Sequence, residues 1–256
     1  MEEIECPSGL AGCITYVSAE TARHLTNARE LRSGKTVDRI LEACWKDTTQ
    51  WGPYAFNGAV EWERVLACDK TYALLMIRVV TFGESYELEL HCPTCGHKFI
   101  WDVPLRDLPV RPLSEEARSA FRAGSNSFET VLRDGRKVWF KLMTGFDQLR
   151  AIKSIRDKAD DLVTAAIRTR VLDIEGVERK DLDKAIAQLS MGDVQHLMQS
   201  FDTLDGGVET LIEVYCPVCH GEWELDLPLD LQAMFAPSKR KSRLPHVKKN
   251  QLPNAS

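Results

Sequence analysis

Between Tyr86 and Leu90, apolar Tyr86, Leu88 and Leu90 alternate with Glu87 and Glu89, the period-two pattern of a strand with one buried face. The alternation returns at Phe99, Trp101 and Val103, which predicts the return strand of a hairpin. Upstream, Tyr72, Leu75, Met76 and Val79 recur at i, i+3, i+4 and i+7, so a helix is expected over about 69–81 with Gly83 as its stop. A short strand is expected at Ile14–Val17, then helical segments between Ala19 and Trp45. Further on, "FETVLRDGRKVWFKL" sets Asp134-Gly135 between two alternating runs, a tight turn that needs positive φ. Helical segments fill much of Phe146 to Leu204, Gly206-Gly207 interrupt the chain, and another strand is expected at Thr210–Tyr215. A short helix after Ser114 lies in the link between the two halves. The predicted fold class is α+β.

The pattern is written twice. "YELELHCPTCGHKFIWDVPL" (86–105) and "TLIEVYCPVCHGEWELDLPL" (210–229) stand 124 residues apart and agree at seven of 20 positions: Glu89/Glu213, Cys92/Cys216, Pro93/Pro217, Cys95/Cys219, Asp102/Asp226, Pro104/Pro228 and Leu105/Leu229. Unrelated segments would share about one. The same offset pairs "ITYVSAETARHL" (14–25) with "VWFKLMTGFDQL" (138–149) and Asp69 with Asp193. The expectation is two pseudo-repeated lobes, each with helices and a β-hairpin carrying a CxxC zinc knuckle. They are expected over 1–112 and 127–236, joined by a linker at 113–126 and followed by a basic extended tail at 237–256. On this reading the second lobe adds a hairpin, around Asp134-Gly135, ahead of its helices.

Hydropathy and charge narrow the classes. The most apolar run, Tyr72 to Val80, is interrupted by Arg78, far short of the roughly 18 apolar residues of a membrane span. The opening "MEEIECPSGL" is acidic and lacks the charged-then-apolar form of a leader, so a reducing cytoplasm is expected. The formal net charge is −5, while the last 20 residues contain six Lys or Arg and no Asp or Glu. An acidic body is a poor surface for phosphate, so nucleic-acid binding is not expected except through the basic tail.

In such a compartment eight cysteines are metal ligands or buried thiols rather than disulfides. Cys92, Cys95, Cys216 and Cys219 form two CxxC pairs, and a CxxC at a hairpin turn sets two thiolates at two corners of a tetrahedron. Two such hairpins complete a closed four-sulfur site, so one structural Zn2+ per chain is expected on these four residues, with no open position for catalysis. The competing readings are metal-free buried thiols, a redox pair and, for "CPVCH" at 216–220, haem attachment. Redox pairs of the thioredoxin kind begin a helix rather than join two strands, and the matching "CPTCG" has no histidine. His91, His97 and His220 are alternative ligands. Cys6, Cys13, Cys44 and Cys68 lack ligand spacing and are expected to be inert thiols. The sequence holds no Gly-rich phosphate loop, GxSxG or HExxH, so no catalytic residue is assigned and no enzyme is expected.

The run "DKTYALLMIRVVTFGESYELELHCPTCG" (69–96), followed by a central hairpin, a second helical segment and "CPVC", resembles the baseplate hub assembly proteins of contractile-tailed bacteriophages. The opening "CPSG" is similar to that family's Pro-Ser-Gly start, with Cys6 standing where an apolar residue is expected. The resemblance spans about 6–236. It implies a non-enzymatic tail protein in a large multi-subunit assembly that binds other phage baseplate and tail proteins. Its place is then the virion's tail baseplate, or the host cytoplasm during assembly, and the four cysteines carry over as zinc ligands. The alternatives are a zinc-ribbon nucleic-acid-binding regulator that uses the basic tail, and a metalloenzyme with water in place of one cysteine.

Overall fold

The chain opens with a hairpin in which β1 (Glu2–Glu5) and β2 (Leu10–Ile14) pair antiparallel. Its turn is Pro7-Ser8-Gly9, with Gly9 at φ 93°, a conformation that suits a residue without a Cβ. The computed structural model describes residues 1–158, 162–229, 231–235 and 246–248. Helices α1 (Arg23–Thr26), α2 (Ala28–Ser33) and α3 (Thr36–Cys44) lead into β3 (Trp45–Trp51), which pairs with β2 to give the order β1-β2-β3. Helix α4 (Ala67–Phe82) follows, buried along most of its length, and Gly83 at φ 90° ends it with its N–H on Val79 O. Strands β4 (Ser85–His91) and β5 (Lys98–Pro104) form the next hairpin, and β6 (Val110–Arg111) and α5 (Glu115–Arg122) complete the first half. Ser114 Oγ accepts from Ala117 N at 3.1 Å and caps α5.

The second half begins with β7 (Phe128–Val131) and β8 (Lys137–Phe140), joined through Gly135 at φ 89°. Then come α6 (Gly145–Lys158), α7 (Leu162–Arg170) and β9 (Val171–Ile174), which pairs antiparallel with β8. Helices α8 (Leu182–Ala187) and α9 (Met191–Leu204), strand β10 (Gly207–Val208), the hairpin β11 (Leu211–Tyr215) and β12 (Glu222–Asp226), helix α10 (Leu231–Phe235) and strand β13 (His246–Lys248) finish the described residues. The class is mixed α and β, as expected. Each half thus runs through a hairpin with a third strand, a long helix (α4 or α9) and a CxxC hairpin.

Two sequence expectations need correction. The hairpin around Asp134-Gly135 is no addition of the second half, because β1 and β2 form one too. The strand expected at Ile14–Val17 is β2, which runs from Leu10 and ends at Ile14. Past that point Thr15 N bonds Cys44 O and Val17 N bonds Thr81 Oγ1, each at 2.9 Å, so the chain follows the helices instead of the sheet. Helical segments fill much of Phe146 to Leu204, as expected, with β9 set between α7 and α8. Most of the segment 237–256, expected to be extended, lies outside the described residues.

Backbone hydrogen bonds stitch the halves together. Ala67 N donates to Met143 O, Gly145 N to Val65 O and Ser114 N to Leu204 O, while β10 pairs with β6. Among the described residues most buried apolar side chains form one contiguous cluster from Ile4 to Phe235. Within it, Asp69 in the first turn of α4 is fully buried and accepts from Ser8 N (2.9 Å), Ser8 Oγ (2.5 Å) and Tyr54 Oη (2.6 Å). The β1–β2 turn is thereby fastened to the start of the long helix. In the second half Asp193, in the first turn of α9, accepts from Arg133 N in the β7–β8 turn at 3.0 Å. Burial raises the Asp69 carboxyl above its ordinary range, against the pull of the Ser8 and Tyr54 donors, whereas the Ser190 hydroxyl lowers Asp193.

Asp69→Ala is expected to lower the unfolding free energy by about 3 kcal/mol in urea titrations, because it leaves buried donors without an acceptor. The raised Asp69 carboxyl means that the folded chain binds this proton more tightly than the unfolded one. Its contribution is complete below the unfolded pKa of about 3.9 and declines as pH rises through the raised folded value. Asp69→Asn removes that slope, so its deficit against the parent should be largest near pH 3 and shrink toward pH 7.

Candidate metal centre

The two CxxC loops are built alike. In the first, Cys92 N donates to His97 O and Gly96 N to Cys92 O, both at 2.9 Å; in the second, Cys216 N donates to Gly221 O at 2.9 Å and His220 N to Cys216 O at 3.1 Å. Each loop turns back through a residue of positive φ, Gly96 at 72° and His220 at 56°. Among the described residues His220 is the only non-glycine at positive φ, a conformation that His adopts more readily than most side chains. It is a turn residue, as the hairpin pattern suggested. The loop closure turns the N–H groups of Thr94 and Cys95 toward Cys92 Sγ, at 3.4 and 3.5 Å.

The loops meet tip to tip. Cys92 Sγ lies 3.5 Å from Cys219 Sγ and Cys95 Sγ 3.7 Å from Cys216 Sγ, and all four sulfurs fall within 4.8 Å of one another. All four are free thiols. A tetrahedron of thiolates about 2.3 Å from a zinc ion has sulfur-to-sulfur edges of about 3.8 Å, so the arrangement fits a four-sulfur metal site. Cys92 and Cys216 are buried, whereas Cys95 and Cys219 face solvent. Among the described residues these four cysteines are the only close group of three or more metal-capable side chains; His91, His97 and His220 are not in it. His97 instead stacks on Phe99 at a centroid separation of 6.3 Å.

Electrostatics set the limit on the bare cluster. Burial works against the Cys92 thiolate, but the Cys95 and Thr94 N–H groups and the neighbouring Cys219 and Cys95 thiols outweigh it, and the thiol is lowered to about 6. Cys219 is pushed up to about 12: the Gly221 N–H favours its thiolate, while burial and the Cys92, Cys95 and Cys216 sulfurs oppose it. Negative charge on one sulfur therefore suppresses it on the others, and only a cation can balance four thiolates in this volume. The remaining cysteines are placed differently. Burial raises Cys6 and Cys68 well above the usual thiol range and Cys44 to about 11, which keeps them protonated and unreactive.

The walls of the site were less legible than its ligands. Phe99 meets Trp223 edge-on at 6.1 Å, Trp101 lies 5.9 Å from Tyr215, and Tyr86 Oη donates to Pro228 O at 2.9 Å. Phe99 and Trp223 occupy the same place in the two 20-residue stretches, so an aromatic at a matched position was the available signal. Asp102 and Asp226, identical between the stretches, each accept from the hydroxyl that opens the partner strand, Ser85 and Thr210.

The family profile described as "T4 bacteriophage base plate protein" matches residues 14–236, a span that includes both CxxC loops and both long helices. Neither a curated protein nor a solved structure matches the chain significantly. Among the described residues no helix is long and apolar enough to cross a membrane.

His220→Gly is expected to raise stability by about 0.5–1 kcal/mol, because glycine adopts the left-handed turn without a Cβ penalty. Gly96→Ala, at the matched position, should cost about 1 kcal/mol. Chemical denaturation of both variants beside the parent checks the pair.

Proposed function

The chain belongs to the T4 bacteriophage base plate protein family, and from that premise we propose that it is a non-enzymatic hub-assembly component of a contractile tail, an adaptor that binds other baseplate and tail proteins and is stabilised by one structural zinc. The observation that carries the zinc is the convergence of Cys92, Cys95, Cys216 and Cys219 within 4.8 Å from two hairpins 124 residues apart. Four thiolates leave no coordination position for water or substrate, so the metal's task here is to hold hairpins together rather than to act as a Lewis acid. Zinc suits four sulfur ligands in tetrahedral array better than the oxygen-seeking divalent cations do.

The adaptor is a duplicated unit, with lobes over 1–112 and 127–236 and a linker between them. Support comes from the matched order of elements, from α4 and α9 each starting 25 residues ahead of the first cysteine of its CxxC pair (67 to 92 and 191 to 216), and from Asp69 and Asp193 fastening the two turns. The hydrogen bonds between the halves favour a rigid body, which binds partners with little loss of conformational freedom. Its working place is the tail baseplate of the virion, reached from the host cytoplasm during assembly. The nucleic-acid-binding reading has no observation in its favour.

The purified chain should contain one zinc, with four sulfur neighbours by X-ray absorption. Cys92→Ser with Cys216→Ser should remove the metal and lower the melting temperature by about 10 °C or more, since structural zinc contributes on the order of 10 kcal/mol of apparent binding energy in small peptides. Metal-free parent protein with an unchanged melt would overturn the zinc. Mixed with the other baseplate proteins of its phage, the parent should co-sediment and the double variant should not. Failure of the parent to do so would overturn the adaptor role.

A further inference from the structure

The two CxxC hairpins are matched strand for strand, yet their edges differ. The hairpin β11–β12 is two-stranded, whereas β5 carries a third strand: β13 lies parallel to it, with His246 opposite Ile100, Val247 opposite Trp101 and Lys248 opposite Asp102. An uncovered edge presents a row of unpaired N–H and C=O groups, which a protein must cover or blunt. The side chains of β5 suit a covered edge. Phe99, Trp101 and Val103 belong to the contiguous core. Ile100 alternates with them onto the opposite face, in register with exposed Glu89, and stands outside that core, yet it is only 5% exposed. The residue at the matched place in β12 is Glu224, which is exposed.

Charge points to the same occupant. Beside Trp101 and Asp102 a cleft of about 300 Å³ opens between β5 and β11, and Asp102, Asp107, Glu213 and Glu224 stand along it with no basic residue among its described walls. The stretch 210–236 contains no Lys or Arg at all, while 237–256 contains six and no Asp or Glu. Four carboxylates around one cleft repel each other unless cations lie among them.

We propose that the edge of β5 and the acidic cleft beside it form a docking site for a basic, extended strand, and that its occupant is the chain's own strand β13, which enters by strand addition through His246–Lys248. Main-chain hydrogen bonds to β5 hold the strand and the carboxylates select a Lys- and Arg-rich one, the division of labour usual in strand addition. The site also shields the edge next to the cysteine cluster from pairing with other chains.

Hydrogen–deuterium exchange of the full chain, read on peptides that cover 240–250, tests this. In the parent, amides in this stretch should exchange at least about tenfold more slowly than in a synthetic 237–256 peptide. Ile100→Glu, which copies Glu224, and separately Glu213→Lys with Glu224→Lys should bring them to within about twofold of the free peptide, as should about 0.5 M NaCl in the parent. Metal content should stay at the parent's value in all these variants, and the melting temperature in the exposed Glu213→Lys, Glu224→Lys pair, which separates the result from the fate of the zinc site. Parent amides as fast as the free peptide's, or protection that survives both sets of substitutions, would overturn the proposal. Protection that rises with protein concentration would assign the strand to a second copy and overturn the intramolecular occupant.

Discussion

Two pairs of cysteines can share a volume a few ångströms across only if the hairpins that carry them meet face to face, and the rest of the molecule answers to that constraint. The contacts are reciprocal: Cys92 meets Cys219 while Cys95 meets Cys216. Each first cysteine touches the other loop's second, the self-complementary pairing of a twofold-related interface. Phe99 and Trp223, which face each other, are matched positions of the two stretches. Reciprocity of this kind fixes the relative orientation of the hairpins, and because each follows a long helix, it constrains α4 and α9 as well. The hydrogen bonds between Ala67 and Met143 and between Gly145 and Val65 fix a second point of contact, so the halves have little freedom to rotate against each other.

The parts of this fold that could be read from the chain are those where one face is buried and the other wet. Alternation exposed β4 and β5, helical spacing exposed α4, and Asp134-Gly135 marked the β7–β8 turn. The β1–β2 hairpin escaped because Glu2-Glu3-Ile4-Glu5 offers a single apolar residue to a period-two reading and its turn, Pro7-Ser8-Gly9, lacks the Asn-Gly or Asp-Gly signal. Strand β9 escaped because four residues between helices carry too few periods to register. In the cysteine cluster the four thiols were legible from spacing alone, whereas the hydroxyl-to-Asp102 and hydroxyl-to-Asp226 contacts depend on strand register, which spacing does not reveal. Asp69 was visible only as a partner of Asp193; that it would be buried with Ser8 and Tyr54 around it depends on a turn 61 residues away. The acceptor edge of β5 was written in the sequence as Ile100 against Glu224, but the difference has meaning only once the two hairpins are known to have unlike neighbours.

A structural component of a baseplate needs surfaces that keep their shape. The buried ties described here serve that need in different ways. Lys70 is held against Asp38 in the interior, where removal of either partner would strand the other's charge, and Arg170 lies between Asp205 and the ring of Phe201. Such groups add little net stability compared with apolar packing, but they tolerate few alternative arrangements, which favours a single arrangement of the chain.

The separation of the two cysteine pairs along the chain also sets a clock. A ribosome adding about 5–20 residues per second takes roughly 6–25 s to travel from the first CxxC to the second. For that interval the β4–β5 hairpin exists with two of the four clustered cysteines and without its facing aromatic wall: Phe99 lacks Trp223 and Trp101 lacks Tyr215. The nascent chain therefore passes through a stage in which this hairpin and its two thiols wait for a partner that has yet to be made, and any early pairing with a second nascent chain would be decided in those seconds.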